Sequence, residues 1–157
     1  MTDELPPHLN IADFFLDARV REGRGDRTAL LTDAGRWSYR EVQALANRYA
    51  NVLSSAGVAP EQRVIIALPD GPDYVAALFG ILKIGAIVVM VNPELKPDAI
   101  EYFFEYSRAT VARAFSAIES RIASLHPRGA GASGLTRLPV AALTAAPPPR
   151  CRARRSR

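Results

Sequence analysis

Residues 63–91, RVIIALPDGPDYVAALFGILKIGAIVVMV, decide the fold. Val64 to Leu68 form a continuous apolar run of strand length, the pattern of a strand covered on both faces. Pro72 follows at the position where the first residue of a helix belongs, with Asp73 in the first turn to complement the dipole. From Tyr74 to Leu82 the helix is apolar nearly all round, which predicts a largely buried element. Gly85 stops it, and Ala86 to Val91 read as a second strand. Strand, helix and strand of this kind imply right-handed βαβ crossovers and a parallel sheet.

The flanking segments agree. Asn10 caps a first helix, with Leu9 and Phe14 at staple positions. Ile11, Phe14, Phe15 and Ala18 fall at the spacing of one apolar face, and Glu22–Asp26 ends that helix. Two β-prone runs, Ala29–Thr32 and Arg36–Ser38, enclose the turn-like Asp33–Ala34–Gly35 and predict a hairpin. Ser38 and Glu41 form a capping-box pair that opens a second helix. Its predicted buried face is Val42, Leu45, Ala46, Tyr49, Val52 and Leu53, with the stop at Gly57. Beyond the second strand, Pro97, Asp98 and Glu101 open a further helix with Ile100, Phe103 and Phe104 as core candidates. Ala109–Ala112 begin another strand. The fold class is therefore α/β: a partial parallel-sheet βαβ domain preceded by a small N-terminal helix and hairpin, and followed by a disordered basic tail.

The pattern stops toward the end of the chain. A helical spacing persists in Phe115, Ile118, Ile122 and Leu125. No acid follows Glu119, and five prolines fall among the last 31 residues. We divide the chain into an N-terminal arm (1–9), a truncated enzyme-like subdomain (10–125) and a low-complexity Arg/Pro/Ala-rich tail (126–157). A shifted reading frame of a GC-rich gene yields this composition, and a natural disordered basic tail is the alternative. The overall charge of +4 merges two unlike parts: residues 1–125 carry −3, and the last 32 carry +7 from seven arginines and no acid. The body thus has no electrostatic reason to bind nucleic acid, and the tail lacks the aromatic interleaving that would make such binding specific.

Other classes are excluded in turn. Cys151 is the one cysteine, so an intrachain disulfide or cysteine metal cluster is ruled out. MTDELPPHLN has none of the marks of a secretory signal, and the apolar run Ile84–Val91 is far too short for a membrane span. A cytoplasmic protein without a membrane segment is expected; the oligomeric state is not readable.

Candidates for chemistry are few. Leu68–Asp73 sits where a phosphate loop would, between strand and helix, but has one glycine, two acids and a proline that removes an amide. A tight turn is the better reading. Glu22–Asp26 has two glycines but no preceding strand. Asn92 lies at the carboxyl end of a predicted strand, where open α/β sheets place ligands; the plainer role is to hold the turn before Pro93. His8 and His126 have no partners at ligand spacing. Lys83 complements a helix C-terminus, and Asp98, Glu101 and Glu105 are helix-surface charges. Trp37 and Tyr39 read as hairpin or core residues. We assign no catalytic, cofactor-binding or metal residue to this chain.

Five ordered segments carry a resemblance: Trp37–Val42, Gly57–Val64, Leu68–Tyr74, Ile81–Ala86 and Asn92–Pro97. Together they resemble the amino-terminal region of the acyl-adenylate-forming superfamily of acyl-CoA synthetases, adenylation domains and luciferases. PDGPDYVAALFGILKIGAIVVMVNPELKP, with YFFEYSRA after it, is most similar to benzoate-type aromatic acid–CoA ligases. The likeness spans residues 10–113. It implies a two-step reaction: a carboxylic acid is joined to ATP under Mg²⁺ with release of pyrophosphate, then passed to the thiol of CoA. The family's functional residues do not carry over, because the loop ending in Pro-Lys-Gly, the aromatic-Gly-x-Thr-Glu segment and the adenylation lysine have no counterpart here. Lys83 and Lys96 are the only lysines. The expectation is an inactive N-terminal fragment that itself binds no cofactor; the alternative is a non-catalytic α/β interaction or regulatory module. Ile65, Ile66, Val88, Val89 and Val91 are expected to lack neighbours or line an open sheet edge, leaving the fragment marginally stable.

Overall fold

The computed structural model describes residues 9–33, 35–96, 99, 102–103, 106–109 and 111–112. A helical segment at 11–24 leads into the hairpin β1 (Thr28–Thr32) and β2 (Gly35–Ser38), then α1 (Tyr39–Ser55). β3 (Arg63–Ile66), α2 (Pro72–Lys83), β4 (Ile87–Met90) and β5 (Val111–Ala112) follow. β1 and β2 pair antiparallel, and β4-β3-β5 form a parallel sheet with β3 in the centre. Ala99, Tyr102, Phe103, Tyr106 and Ser107 are helical. Pro97, Asp98, Ile100, Glu101, Phe104 and Glu105 lie outside the described residues, as do His8 and everything from Arg113 onward.

The α/β class and the parallel sheet are as the sequence implies. Ser38 accepts the Glu41 amide through its hydroxyl, and the Glu41 carboxylate takes the Ser38 amide at 2.8 Å, so the capping box is complete. Gly57 and Gly85 close their helices at φ 80° and 75°, the left-handed region that glycine enters without a Cβ penalty. β3 is buried on both faces, with Val64, Ile65 and Ile66 at 0%, 1% and 0% exposure.

Two expectations need correction. The N-terminal helix does not bury Ile11, Phe14 and Phe15, which are 47%, 44% and 58% exposed; Ala12 and Leu16 face inward instead. The segment winds as π-helix over Asp13–Asp17 and Val20–Arg24, with the Ala18 amide bonded to the Asp13 carbonyl, so an α-helical stripe loses its alignment. Its rotation is set by polar anchors. The Asn10 side chain donates to the Leu82 carbonyl at 2.8 Å, and Asp17 reaches Lys83. The second correction concerns uncovered aliphatics. Ile65 and Ile66 are buried, because β3 has a strand on each side and packing on each face, and Val91 is buried too; half-buried Val88 and Val89 do lie on β4, the open edge of the sheet among the described residues. The exposed members of β4 are Ile87 and Met90.

α1 and α2 pack between the hairpin and the sheet around Val42, Ala46, Tyr49, Leu53, Ala76, Ala77 and Ile81. Their closest approach is at Gly80, where an added Cβ would stand 2.7 Å from the Tyr49 Cβ and 2.9 Å from the Ala46 carbonyl oxygen. The Tyr49 hydroxyl donates to Asp73 at 3.0 Å. Burial, and then the Asp73 carboxylate, push its pKa well above the ordinary tyrosine value.

Alanine at Gly80 gains about 1 kcal/mol of helix propensity, but the backbone it meets cannot yield. Gly80→Ala should lower stability by a net ~1–3 kcal/mol in urea titrations. A rise in stability would refute the close approach. Tyr49 also sets a pH dependence. Above a pH of about 10 the unfolded chain sheds this proton while the folded chain keeps it, so stability falls as pH rises. Tyr49→Phe should cost ~1 kcal/mol at neutral pH and flatten the alkaline decline in denaturation series between neutrality and pH 11.

Candidate functional site

The carboxyl ends of β3 and β4 diverge into a cleft of ≈470 Å³ lined by Leu68–Asp70, Tyr74 and Met90–Glu94. One wall is the loop from β3 into α2. Pro72 occupies the first helical turn, so that turn offers one amide fewer to an anion, and Gly71 supplies no side-chain cap. Asp73 is engaged by Tyr49. The other wall is the turn after β4, where the Asn92 side-chain oxygen accepts the Glu94 amide at 2.9 Å and its carbonyl accepts the Leu95 amide. Asn92 thus holds the turn before and across Pro93. Across the cleft the Tyr74 hydroxyl donates to the Met90 sulfur at 2.8 Å.

The charges at the mouth are Asp70 and Glu94, both exposed. Among the described residues no cation lines the cleft. Two carboxylates facing a proline-interrupted helix start repel phosphate, so the arrangement is a turn and a wall rather than a phosphate cradle. Among the described residues no group of three or more His, Cys, Asp or Glu side chains could hold a metal ion.

Lys83 is elsewhere and fully engaged. Its ammonium donates to both Asp17 carboxylate oxygens at 2.6 and 2.8 Å and to the Asn47 side-chain oxygen at 2.7 Å. Gln43 also donates to Asp17 at 2.8 Å. With side-chain exposures of 13% and 20%, the Lys83–Asp17 pair joins the N-terminal helix, α1 and α2. Sequence spacing offers no signal for this network, because its two charges stand 66 residues apart. Glu22–Asp26 forms the end of the N-terminal helix, with Gly23 at φ 77°. Trp37 and Tyr39 pack against the main core. Asp98, Glu101, Glu105, His8, His126 and Cys151 fall outside the described residues.

Removing one charge of the Asp17–Lys83 pair strands the other in a poorly solvated position. Lys83→Met should therefore lower stability by ~2–4 kcal/mol. Asp17→Leu with Lys83→Met should recover much of that, as read by a double-mutant cycle in urea. Strictly additive losses would contradict the pairing.

Comparison with known proteins places this architecture. The family model described as AMP-binding enzyme matches residues 16–142. Over 109 residues the chain is 36% identical to the 3-hydroxybenzoate–CoA/4-hydroxybenzoate–CoA ligase of Thauera aromatica, covering 68% of this chain and 21% of that protein. The benzoate–CoA ligase of the same organism is 31% identical over 110 residues, covering 69% and 21%. The crystal structure of the anthranilate CoA ligase AuaEII in complex with anthranoyl-AMP superimposes with a TM-score of 0.70 at 33% identity, covering 77% of this chain and 23% of that one. The chain spans about a fifth of the length of these curated relatives. It belongs to the AMP-binding enzyme family.

Proposed function

We propose that this chain is part of an ATP-dependent acid–CoA ligase acting on an aromatic carboxylic acid in the cytoplasm, and that these 157 residues do not turn substrate over by themselves. The similarity to hydroxybenzoate– and benzoate–CoA ligases along the α/β unit carries the reading. No helix among the described residues is long and apolar enough to cross a membrane.

ATP, Mg²⁺ and CoA are the reactants such an enzyme uses. The residues present do not fit a nucleotide: the strand-end cleft presents Asp70 and Glu94, and Pro72 withholds an amide where phosphate would dock. Lys83 is held by Asp17 and Asn47 and is not available to a phosphate. Adenylation is therefore not routed through Lys83 or the side chains of this cleft. The contribution of this unit is a scaffold. β3, clamped between β4 and β5, fixes where the loops at the carboxyl end of the sheet emerge, and the polar network around Lys83 fixes the helices behind it.

Two measurements test this. The pure 157-residue chain should release no pyrophosphate from ATP, Mg²⁺ and benzoate, and robust turnover would sink the inactivity. A chimera in which residues 16–112 replace the matching stretch of the Thauera aromatica hydroxybenzoate ligase should retain hydroxybenzoate-dependent pyrophosphate release. A folded chimera devoid of that activity would remove the family reading's functional content.

A further inference from the structure

One face of the parallel sheet closes into a core along most of its length and opens at its amino end. Register sets Arg63 beside Ile87 and Ile65 beside Val89. Strand alternation puts Arg63, Ile65 and Ala67 on one face of β3, and Ile87, Val89 and Val91 on the matching face of β4. Toward the carboxyl end this face is covered, with Ile65, Ala67 and Val91 buried against Leu95, Phe103 and Ala109. At its first position stands an exposed arginine where the pattern calls for an aliphatic side chain.

The opening is a groove of ≈580 Å³ lined by Ile87, Val89, Phe103 and Tyr106, with Ser107, Arg63 and Arg108. Small-ligand sites usually span about 300–1,000 Å³. Among the described residues no carboxylate lines this groove, and neither guanidinium has an ion-pair partner. Arg108 is also held at φ 50°, just past a helical stretch. Gly57 and Gly85 fill the corresponding place after α1 and α2. Glycine would stand there without a Cβ penalty, yet the chain carries an arginine, and side chains kept in this region at a steric cost cluster at ligand clamps.

Two unpaired cations beside an apolar and aromatic floor select an occupant with an anionic head and an apolar body. Like charge disfavours the arginine-rich residues 126–157 of the same chain as that occupant. A bare inorganic anion would leave the floor uncovered, whereas a carboxylate matches the planar fork of a guanidinium. We propose that this groove binds a small carboxylate with an apolar body, its head held by Arg63 and Arg108 and its body lying on Ile87, Val89, Phe103 and Tyr106. The site is at the opposite end of the sheet from the cleft bearing Asp70 and Glu94. It rests on charge and shape, and not on the ligase reading.

Calorimetric titration of the full chain at low salt, without ATP, tests it with benzoate, hexanoate, acetate and inorganic phosphate as probes. Benzoate and hexanoate should bind one to one, each about tenfold or more tighter than acetate, and more weakly as salt rises. Either order of the two upholds the proposal and identifies the body as aryl or alkyl. Arg108→Gly removes the guanidinium while suiting the left-handed backbone, so it should weaken both acids about tenfold with an unchanged circular dichroism spectrum. Arg63→Gln, at an exposed position, should do the same. The absence of saturable binding by both acids overturns the proposal. So does acetate or phosphate binding as tightly as they do, or an affinity indifferent to either arginine substitution.

Discussion

The close approach of α1 and α2 at Gly80 is the constraint on which the rest of the structure depends. With no side chain there, the Tyr49 Cβ and the Ala46 carbonyl come within a distance that any Cβ would forbid. That proximity lets Tyr49 be fully buried and still deliver its hydroxyl to Asp73 in the first turn of α2. α2 is thereby held at both ends, by Tyr49 near its start and by Asp17 and Asn47 through Lys83 at its finish. The helix connects β3 to β4, so its position sets the register of the parallel pair from Arg63–Ile87 to Ile66–Met90. Glycine's unfavourable helix propensity, about 1 kcal/mol, is small beside the burial this geometry allows.

Most of the local grammar was legible in the sequence because it is carried by short-range physics. Pro72 at a helix start, the Ser38–Glu41 box and the glycine stops at 57 and 85 each depend on residues within a few positions. The continuous apolar run at 64–68 correctly announced a strand covered on both faces. What failed was the rotation of the N-terminal helix. Periodicity assigns Ile11, Phe14 and Phe15 to the core, but the helix is oriented by Asn10 and Asp17, whose partners lie 72 and 66 residues away. Polar contacts at such separation leave no trace in hydrophobic spacing. Strand order was equally unreadable, since either side of β3 satisfies the same apolar pattern.

The site follows the same division. The sequence placed Asn92 at a strand end and Leu68–Asp73 at a strand-to-helix turn, and both stand where open α/β sheets put ligands. Their side chains are spent on the backbone and on neighbouring elements. Asn92 closes its own turn, and Asp73 receives Tyr49. Lys83 shows how burial separates function from appearance: a lysine in a helical enzyme fold invites a catalytic reading, yet three oxygens within 2.8 Å hold it in place.

Family membership is carried by the scaffold of this chain. Fold-level likeness transfers a scaffold, while chemistry resides in sites placed upon it. Here, among the described residues, β3 has a strand on each edge and packing on both faces, and the helices behind it are locked by a glycine contact and a polar cluster. Among the described residues one open edge of the sheet is β4, where Ile87 and Met90 stand exposed. A sheet whose centre is packed on both faces and whose rim is not has its stability set from the inside.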